Sequence, residues 1–213
     1  MTLKEFDDSY RTDEIEFIAG LDEAGRGPIC GPVVCACVVL DRNFDNSLIN
    51  DSKKLTAKRR KELVPIIKQN AAAYSIVFID AVTIDRINIL EASRNGMQCA
   101  LNKLKVSRKR VDFVLTDYME LVEESLDVVP LVKGDSKSLA IACASILAKE
   151  ARDDYMCELD KIYPEYEFKK HKGYPTKRHL ELAARYGVID KLYRYSYKPV
   201  KKIISEKQTI KLF

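Results

Sequence analysis

The sequence predicts an α/β fold: a mixed sheet flanked by helices, with a small helical extension at the C-terminus. Three patterns predict it. Two β-rich apolar runs follow one another early in the chain, at 15–21 and 33–40. From residue 56 onward, apolar runs of strand length alternate with stretches of helical periodicity, the order that builds layered α/β sheets. Residues 163–175 then form a connection rich in Tyr, Pro and Lys, and a further helical stretch lies beyond it.

The elements follow in order. Ile15 to Leu21 reads as a strand ending at Asp22-Glu23, and a Gly-rich turn, Ala24-Gly25-Arg26-Gly27-Pro28, comes next. Val33 to Leu40 is a second strand. Thr56 to Gln69 puts Leu63, Ile66 and Ile67 on one side of a helix. Ala72 to Ile79 is a third strand. Thr83 to Lys105 reads as one long helix carrying Ile87, Leu90, Met97, Ala100, Leu101 and Leu104. Val111 to Leu115 is a short buried strand ending at Thr116-Asp117, and Val128 to Val132 another, ending at Lys133-Gly134-Asp135. Ser138 to about Ile162 is one long helix. Thr176 to Tyr186 is a further helix, stopped by Gly187. The expected division is a core over 1–162, a helical segment over 163–205 and a flexible tail over 206–213.

Composition narrows the function classes. A chain of 213 residues with 46% hydrophobic residues can bury one good-sized core. The net charge of +4 does not by itself demand a nucleic-acid partner. Basic residues cluster at Lys53-Lys54, Lys58-Arg59-Arg60-Lys61, Arg108-Lys109-Arg110 and from Lys169 to Lys172, each of which alone is more often a solvated face. No apolar run is long enough to span a bilayer, and the polar, acidic start is unlike a signal peptide, so the expectation is a cytoplasmic monomer with no membrane partner. None of the six cysteines forms a Cys-x-x-Cys pair, which argues against a zinc site and for reduced, packed thiols.

The acids carry the chemistry. Asp22, Glu23, Asp117 and Asp135 each fall at or just after the C-terminal end of a predicted strand, where α/β sheets place their sites. Four carboxylates meeting there repel unless a cation neutralises them. Oxygen donors suit Mg²⁺ or Mn²⁺. Two such ions, roughly 3.5–4 Å apart, serve an in-line phosphoryl displacement. Any one of these acids alone is more often a turn former or cap, and for Asp135, ahead of a helix, capping is the better single-residue reading. The spacing leaves open whether the four ends converge. Two glycine-loop readings fail: Cys30 stands where a dinucleotide fingerprint needs its third Gly, and Gly20-x4-Gly25 is followed by Arg26-Gly27 instead of Lys-Ser/Thr.

At these residues the chain resembles the ribonuclease HII family. The resemblance rests on Gly20 to Pro28 with Gly31 to Val34, on Asp51-Ser52-Lys53-Lys54-Leu55, on Lys133-Gly134-Asp135 with Ala144 to Lys149, and on His171-Lys172-Gly173-Tyr174, in the family's order. It implies a ribonuclease H-like fold and a metal site of Asp22, Glu23, Asp117 and Asp135. The segment 163–205 would complete the substrate cleft. It assigns Gly25, Arg26 and Gly27 to reading the 2′-hydroxyl at an RNA–DNA junction, and Tyr174 to supporting that contact against the neighbouring deoxyribose. The substrates implied are RNA–DNA hybrids and duplex DNA holding ribonucleotides, cut to 3′-hydroxyl and 5′-phosphate ends. Lys53 and Lys149 are assigned to the substrate backbone. Ser145, Lys149 and Arg152 share a helical face, which suits either phosphate contact or solvent. His171 fits a phosphate-facing or a solvated role equally. Tyr118-Met119 and the thiols Cys30 and Cys143 depart from the small or apolar residues usual in the family. The tail Gln208 to Phe213 resembles the Gln…Leu-Phe peptides that dock on sliding clamps, one residue off the commonest spacing, with a frayed end as the alternative. The rivals are a related metal nuclease acting on branched DNA, or on hybrids without single-ribonucleotide preference, and a non-catalytic hybrid-binding module; the Gly-Arg-Gly loop speaks against the branched-DNA version and the crowded acids against the module.

Overall fold

In a computed structural model, which describes residues 1–49 and 55–210 (side chains through 206), a five-stranded sheet lies between helical layers. The strands are β1 (Ile18–Ala24), β2 (Val33–Leu40), β3 (Ala73–Ile79), β4 (Phe113–Asp117) and β5 (Val128–Leu131), in the spatial order β3-β2-β1-β4-β5. β1, β2 and β3 form an antiparallel meander. β4 adds to β1 in parallel, and β5 to β4 in parallel. The sheet is mixed, as the element order predicts.

The helices are α1 (Leu3–Asp8), α2 (Ala57–Asn70), α3 (Ala81–Ile87), α4 (Ile89–Val106), α5 (Leu139–Ile162), α6 (Phe168–His171), α7 (Lys177–Tyr186) and α8 (Lys198–Ile210). All eight residues of β2 are buried, so its apolar run serves both faces. Ala36, Val38 and Leu40 join α2 residues Leu63 and Ile67 and the α5 run from Leu139 to Ala148. Cys35, Cys37 and Val39 face α4 through Met97, Ala100, Leu101 and Leu104. Burying each such aliphatic side chain contributes about 1.5–3 kcal/mol relative to exposure. A third cluster joins Ile29, Cys30 and Met156 to Tyr166, Phe168, Ala183, Tyr193, Val200 and Ile203, so the C-terminal helices share a core with the turn after β1.

Gly20 permits a close approach of helix to sheet. A Cβ there would lie 2.1 Å from the Ala140 carbonyl carbon, so the α5 backbone packs directly on β1. Ala140 and Ala144, both fully buried, extend this contact with small side chains.

Four expectations need correction. The long helix expected over 83–105 is two helices. Asn88 takes φ 67°, and its side chain accepts from the N–H groups of Leu90 and Glu91, ending α3 and capping α4. The apolar pattern runs on across the break because Ile84 and Ala92 both reach Val33. α1 is missed, although Thr2 and Glu5 form a capping box. The tail expected from 206 is helical to Ile210, because α8 anchors through Val200 and Ile203. Cys99 is exposed, and the other cysteines are buried or half-buried, all of them free thiols. No described helix is long and apolar enough to cross a membrane.

Candidate active site

β1 and β4 lie side by side and parallel, with Leu21 opposite Thr116. The next residue on each strand is Asp22 and Asp117, so the two aspartates stand side by side on strands about 4.8 Å apart. β4 pairs in turn with β5, Asp117 opposite Leu131. After β5, Lys133 takes φ 55° and turns the chain into a single 3-10 turn at Gly134–Ser136. The Gly134 N–H donates to Asp117 Oδ1 at 2.7 Å, which ties that turn to the end of β4 and brings Asp135 in. Asp22, Asp117 and Asp135 each offer an oxygen within 4.8 Å of the others, the one such group among the described residues that could hold a metal ion. Asp135 is buried and does not cap α5; Ser138 does, accepting from the Ile141 N–H at 3.2 Å. Glu23 stands outside the trio on the same cleft wall, with Arg26 3.5 Å from its Oε1.

Electrostatics fit a cation. Burial first, then the charges of Glu23 and Asp117, push the Asp22 carboxyl well above its ordinary range. Hydrogen bonds from the Ser145 side chain and the Glu23 N–H pull against this. Crowded oxygen donors of one sign match a hard divalent ion.

The cleft has a volume of about 420 Å³ and runs from Asp22, Glu23 and Asp117 to the Gly-Arg-Gly turn, Lys149 and Tyr174. Gly25 has φ 103°, and a Cβ on it would lie 2.1 Å from Arg152 Nε, so only glycine fits. Gly27 faces the Tyr174 ring, 3.3 Å from the place its Cβ would take. Lys149 borders the cleft and pairs with Asp153 at 2.7 Å. Lys53 lies outside the described residues.

Two arginines hold the turn in place. Arg152, expected to meet phosphate or solvent, is buried: it donates to the carbonyls of Pro32 (3.0 Å), Lys172 (2.9 Å) and Cys30 (3.3 Å). Its face of α5 turns toward the loop, because β1 and β2 bring 25–32 over the helix. Burial and the neighbouring Arg194 lower its pKa to about 10, so it remains charged at neutral pH. Arg194 is fully buried and donates to Gly25 O (2.7 Å), Gly31 O (2.9 Å) and Arg26 O (3.1 Å). Nothing local marks Arg194 in the sequence, since its partners lie at the other end of the chain. Arg60, read as part of a solvated cluster, is buried at the cleft and pairs with Glu150 at 2.6 Å.

His171 is also corrected: it is buried, against both expected roles, and stacks on His179. Burial drives the Cys30 thiol up to about 12, so it packs as an inert small residue. Tyr118 is exposed beside Asp117, in the left-handed region at φ 63°.

A family model described as Ribonuclease HII matches residues 19–200, which hold the three convergent aspartates and the glycine turn. The chain belongs to the ribonuclease HII family. Two ribonuclease HII relatives illustrate the similarity. One from Francisella tularensis subsp. mediasiatica is 48% identical over 189 residues, 89% of this chain and 99% of the relative. One from Mycoplasma mycoides is 44% identical over 205 residues, 95% of this chain and 97% of the relative. Among solved structures, ribonuclease H2 of Pyrococcus horikoshii superposes with TM-score 0.77 at 26% identity, covering 90% of this chain and 99% of that one. Two more remote structures share the fold. One is Bst-RNase HIII in complex with Mn²⁺ (TM-score 0.72, 18% identity, covering 92% and 71%). The other is a PCNA:RNase HII complex from Archaeoglobus fulgidus (TM-score 0.69, 23% identity, covering 87% and 96%). As a member of the ribonuclease HII family, the chain is a ribonuclease H-type nuclease.

Proposed function

We propose that the enzyme hydrolyses the RNA strand of RNA–DNA hybrids and cuts 5′ of a ribonucleotide embedded in duplex DNA, leaving 3′-hydroxyl and 5′-phosphate ends. The observation that carries the reading is the adjacency of the Asp22–Asp117–Asp135 trio to a glycine turn closed by Tyr174. Nuclease chemistry needs the first and sugar discrimination the second. Asp22, Glu23, Asp117 and Asp135 would hold two Mg²⁺ or Mn²⁺ ions. Bound there, such ions supply positive charge for the scissile phosphate and the leaving oxygen, and acidify an attacking water.

The protein's own groups do the selecting. Arg194 engages the carbonyls of Gly25 and Arg26, which turns the N–H groups on the far side of those two peptides, of Arg26 and Gly27, away from it and toward the proposed sugar position. A 2′-hydroxyl within reach of those groups is bonded and a deoxyribose has nothing to offer them. Tyr174 packs its ring on the adjoining deoxyribose. Lys149 and Lys53 meet backbone phosphates and set register without reading sequence. The C-terminal Gln208–Phe213 would tether the enzyme to a sliding clamp, in keeping with the PCNA complex of the Archaeoglobus relative. We infer that the enzyme works as a cytoplasmic monomer.

The test is a labelled DNA duplex holding one ribonucleotide, incubated with Mg²⁺ or Mn²⁺ and wild type or Asp117→Asn. A single cut 5′ of the ribonucleotide, absent in the variant and on an all-DNA duplex, is expected. Tight binding that survives chelation, with no cut in either metal, would replace the reading with a binding module.

A further inference from the structure

The two histidines of the chain take no part in the carboxylate chemistry, yet they are built to a specification. His171 and His179 stack with ring centroids 4.0 Å apart and planes 12° from parallel. His171 Nδ1 accepts from the Gly173 N–H at 3.2 Å, and its Nε2 faces the Tyr166 carbonyl at 2.8 Å. A carbonyl only accepts, so His171 carries its proton on Nε2. His179 is the opposite tautomer. Its Nδ1 lies 2.8 Å from the Tyr174 carbonyl and so bears the proton, while Nε2 accepts from the Tyr193 hydroxyl at 2.8 Å.

Each ring is therefore satisfied as the neutral form. A second proton on His171 would set two N–H groups against each other at Gly173, and two imidazolium ions would face at stacking distance. Burial, then His171, lowers the His179 pKa to about 4, and burial lowers that of His171. The charged groups near His171 are Glu167 and Asp160; the titratable groups facing His179 are His171 itself, the Tyr193 hydroxyl and the Cys30 thiol, 4.0 Å away.

What the pair grips is the Gly173-Tyr174 peptide. One ring takes the N–H before it and the other the carbonyl after it. The Gly173 carbonyl in turn accepts from the Ile29 N–H at 2.9 Å, next to the glycine turn. We propose that the His171–His179 stack is the positioning device for Tyr174, holding its phenol against Gly27 so that sugar and turn meet in register. The inference rests on the reading of Tyr174 as a sugar contact.

The experiment combines fluorine NMR with a double-variant cycle. The protein is labelled with 3-fluorotyrosine at its 11 tyrosines, and the Tyr174 signal is identified by its loss in Tyr174→Phe. His179→Gln drops the Nδ1 donor, whereas His179→Asn keeps an amide N–H near that place. All variants are compared where circular dichroism finds them folded. The Tyr174 signal is expected to shift or broaden in His179→Gln and to hold in His179→Asn. Cleavage of the single-ribonucleotide duplex, as kcat/KM, is expected to fall on the order of 10- to 100-fold in His179→Gln. In a Tyr174→Ala background the same substitution should cost nothing further. An unmoved Tyr174 signal in His179→Gln, or a double variant whose loss is the product of the single losses, overturns the proposal. If Tyr174→Ala cuts like wild type while the Tyr174 signal of the otherwise intact protein still answers to His179→Gln, the sugar-contact reading fails and the positioning stands.

Discussion

Arg194 and Gly25 are 169 positions apart in the chain and 2.7 Å apart in space, guanidinium to carbonyl. The same guanidinium reaches the carbonyls of Arg26 and Gly31, so one C-terminal side chain ties down both ends of the turn that borders the aspartates. A fork of five donors can do this; a single ammonium cannot.

Arg194→Met should leave buried carbonyls without donors, at about 1–3 kcal/mol for each one stranded. Denaturant unfolding should register the loss, and cleavage of a single-ribonucleotide duplex should fall with it. Arg194→Lys should recover only part of both. A Met variant as stable as wild type would mean that the turn holds its shape unaided.

Crowding at Asp22 sets the response to metal. Its raised pKa means that the metal-free folded protein holds a proton that the unfolded chain releases, so stability falls as pH rises above the ordinary value of 3.8 toward the folded one. Adding Mg²⁺ or Mn²⁺ at neutral pH should raise the thermal midpoint, through a stabilisation of about 2.7 kcal/mol at a hundredfold excess over Kd. The gain should shrink in acid, where protons compete, and should largely vanish in Asp117→Asn along with cleavage. A midpoint indifferent to both ions would count against the carboxylates as ligands.

The histidines act in the opposite sense. His179 titrates near 6.5 when unfolded and at about 4 when folded, so the unfolded chain takes up protons first as pH drops. Its contribution is fully present above 6.5 and is lost between there and about 4, on the order of 3 kcal/mol. Asp7, raised to about 6 mainly by burial, works against this over part of the same range. The clean measurement is therefore the difference between wild type and His179→Gln in urea unfolding at pH 7.5 and pH 4.5. The wild type should lose more stability on acidification than the variant; equal losses would remove His179 from the account.

Gly20→Ala should be severely destabilising, because the new methyl would meet the α5 backbone at Ala140. Overpacking costs typically about 1–3 kcal/mol where side chains can move, and here the obstacle is main chain. Scanning calorimetry should find a lowered midpoint, whereas a variant with the wild-type midpoint would mean that α5 can lift off β1 without cost.

What the sequence by itself determined is local: the apolar strand runs, the turn chemistry of Gly25 to Gly27, the positions of four acids at strand ends, and the start of the long helix at Ser138. These depend on side-chain period and on residues within a few positions of each other, so a single chain displays them. Even local signals can mislead when two elements share one apolar face, as the helices either side of Asn88 do. Only the tertiary structure decided that β4 lies beside β1, which is what converts Asp22 and Asp117 from separate turn residues into neighbours. It also decided that Arg152 and Arg194 are buried staples, because their carbonyl partners lie far off in the chain, and that both histidines are buried in a stack whose carbonyl partners suit the neutral form. Charge pattern records that a residue can carry charge; where the backbone carbonyls lie decides what that charge is used for.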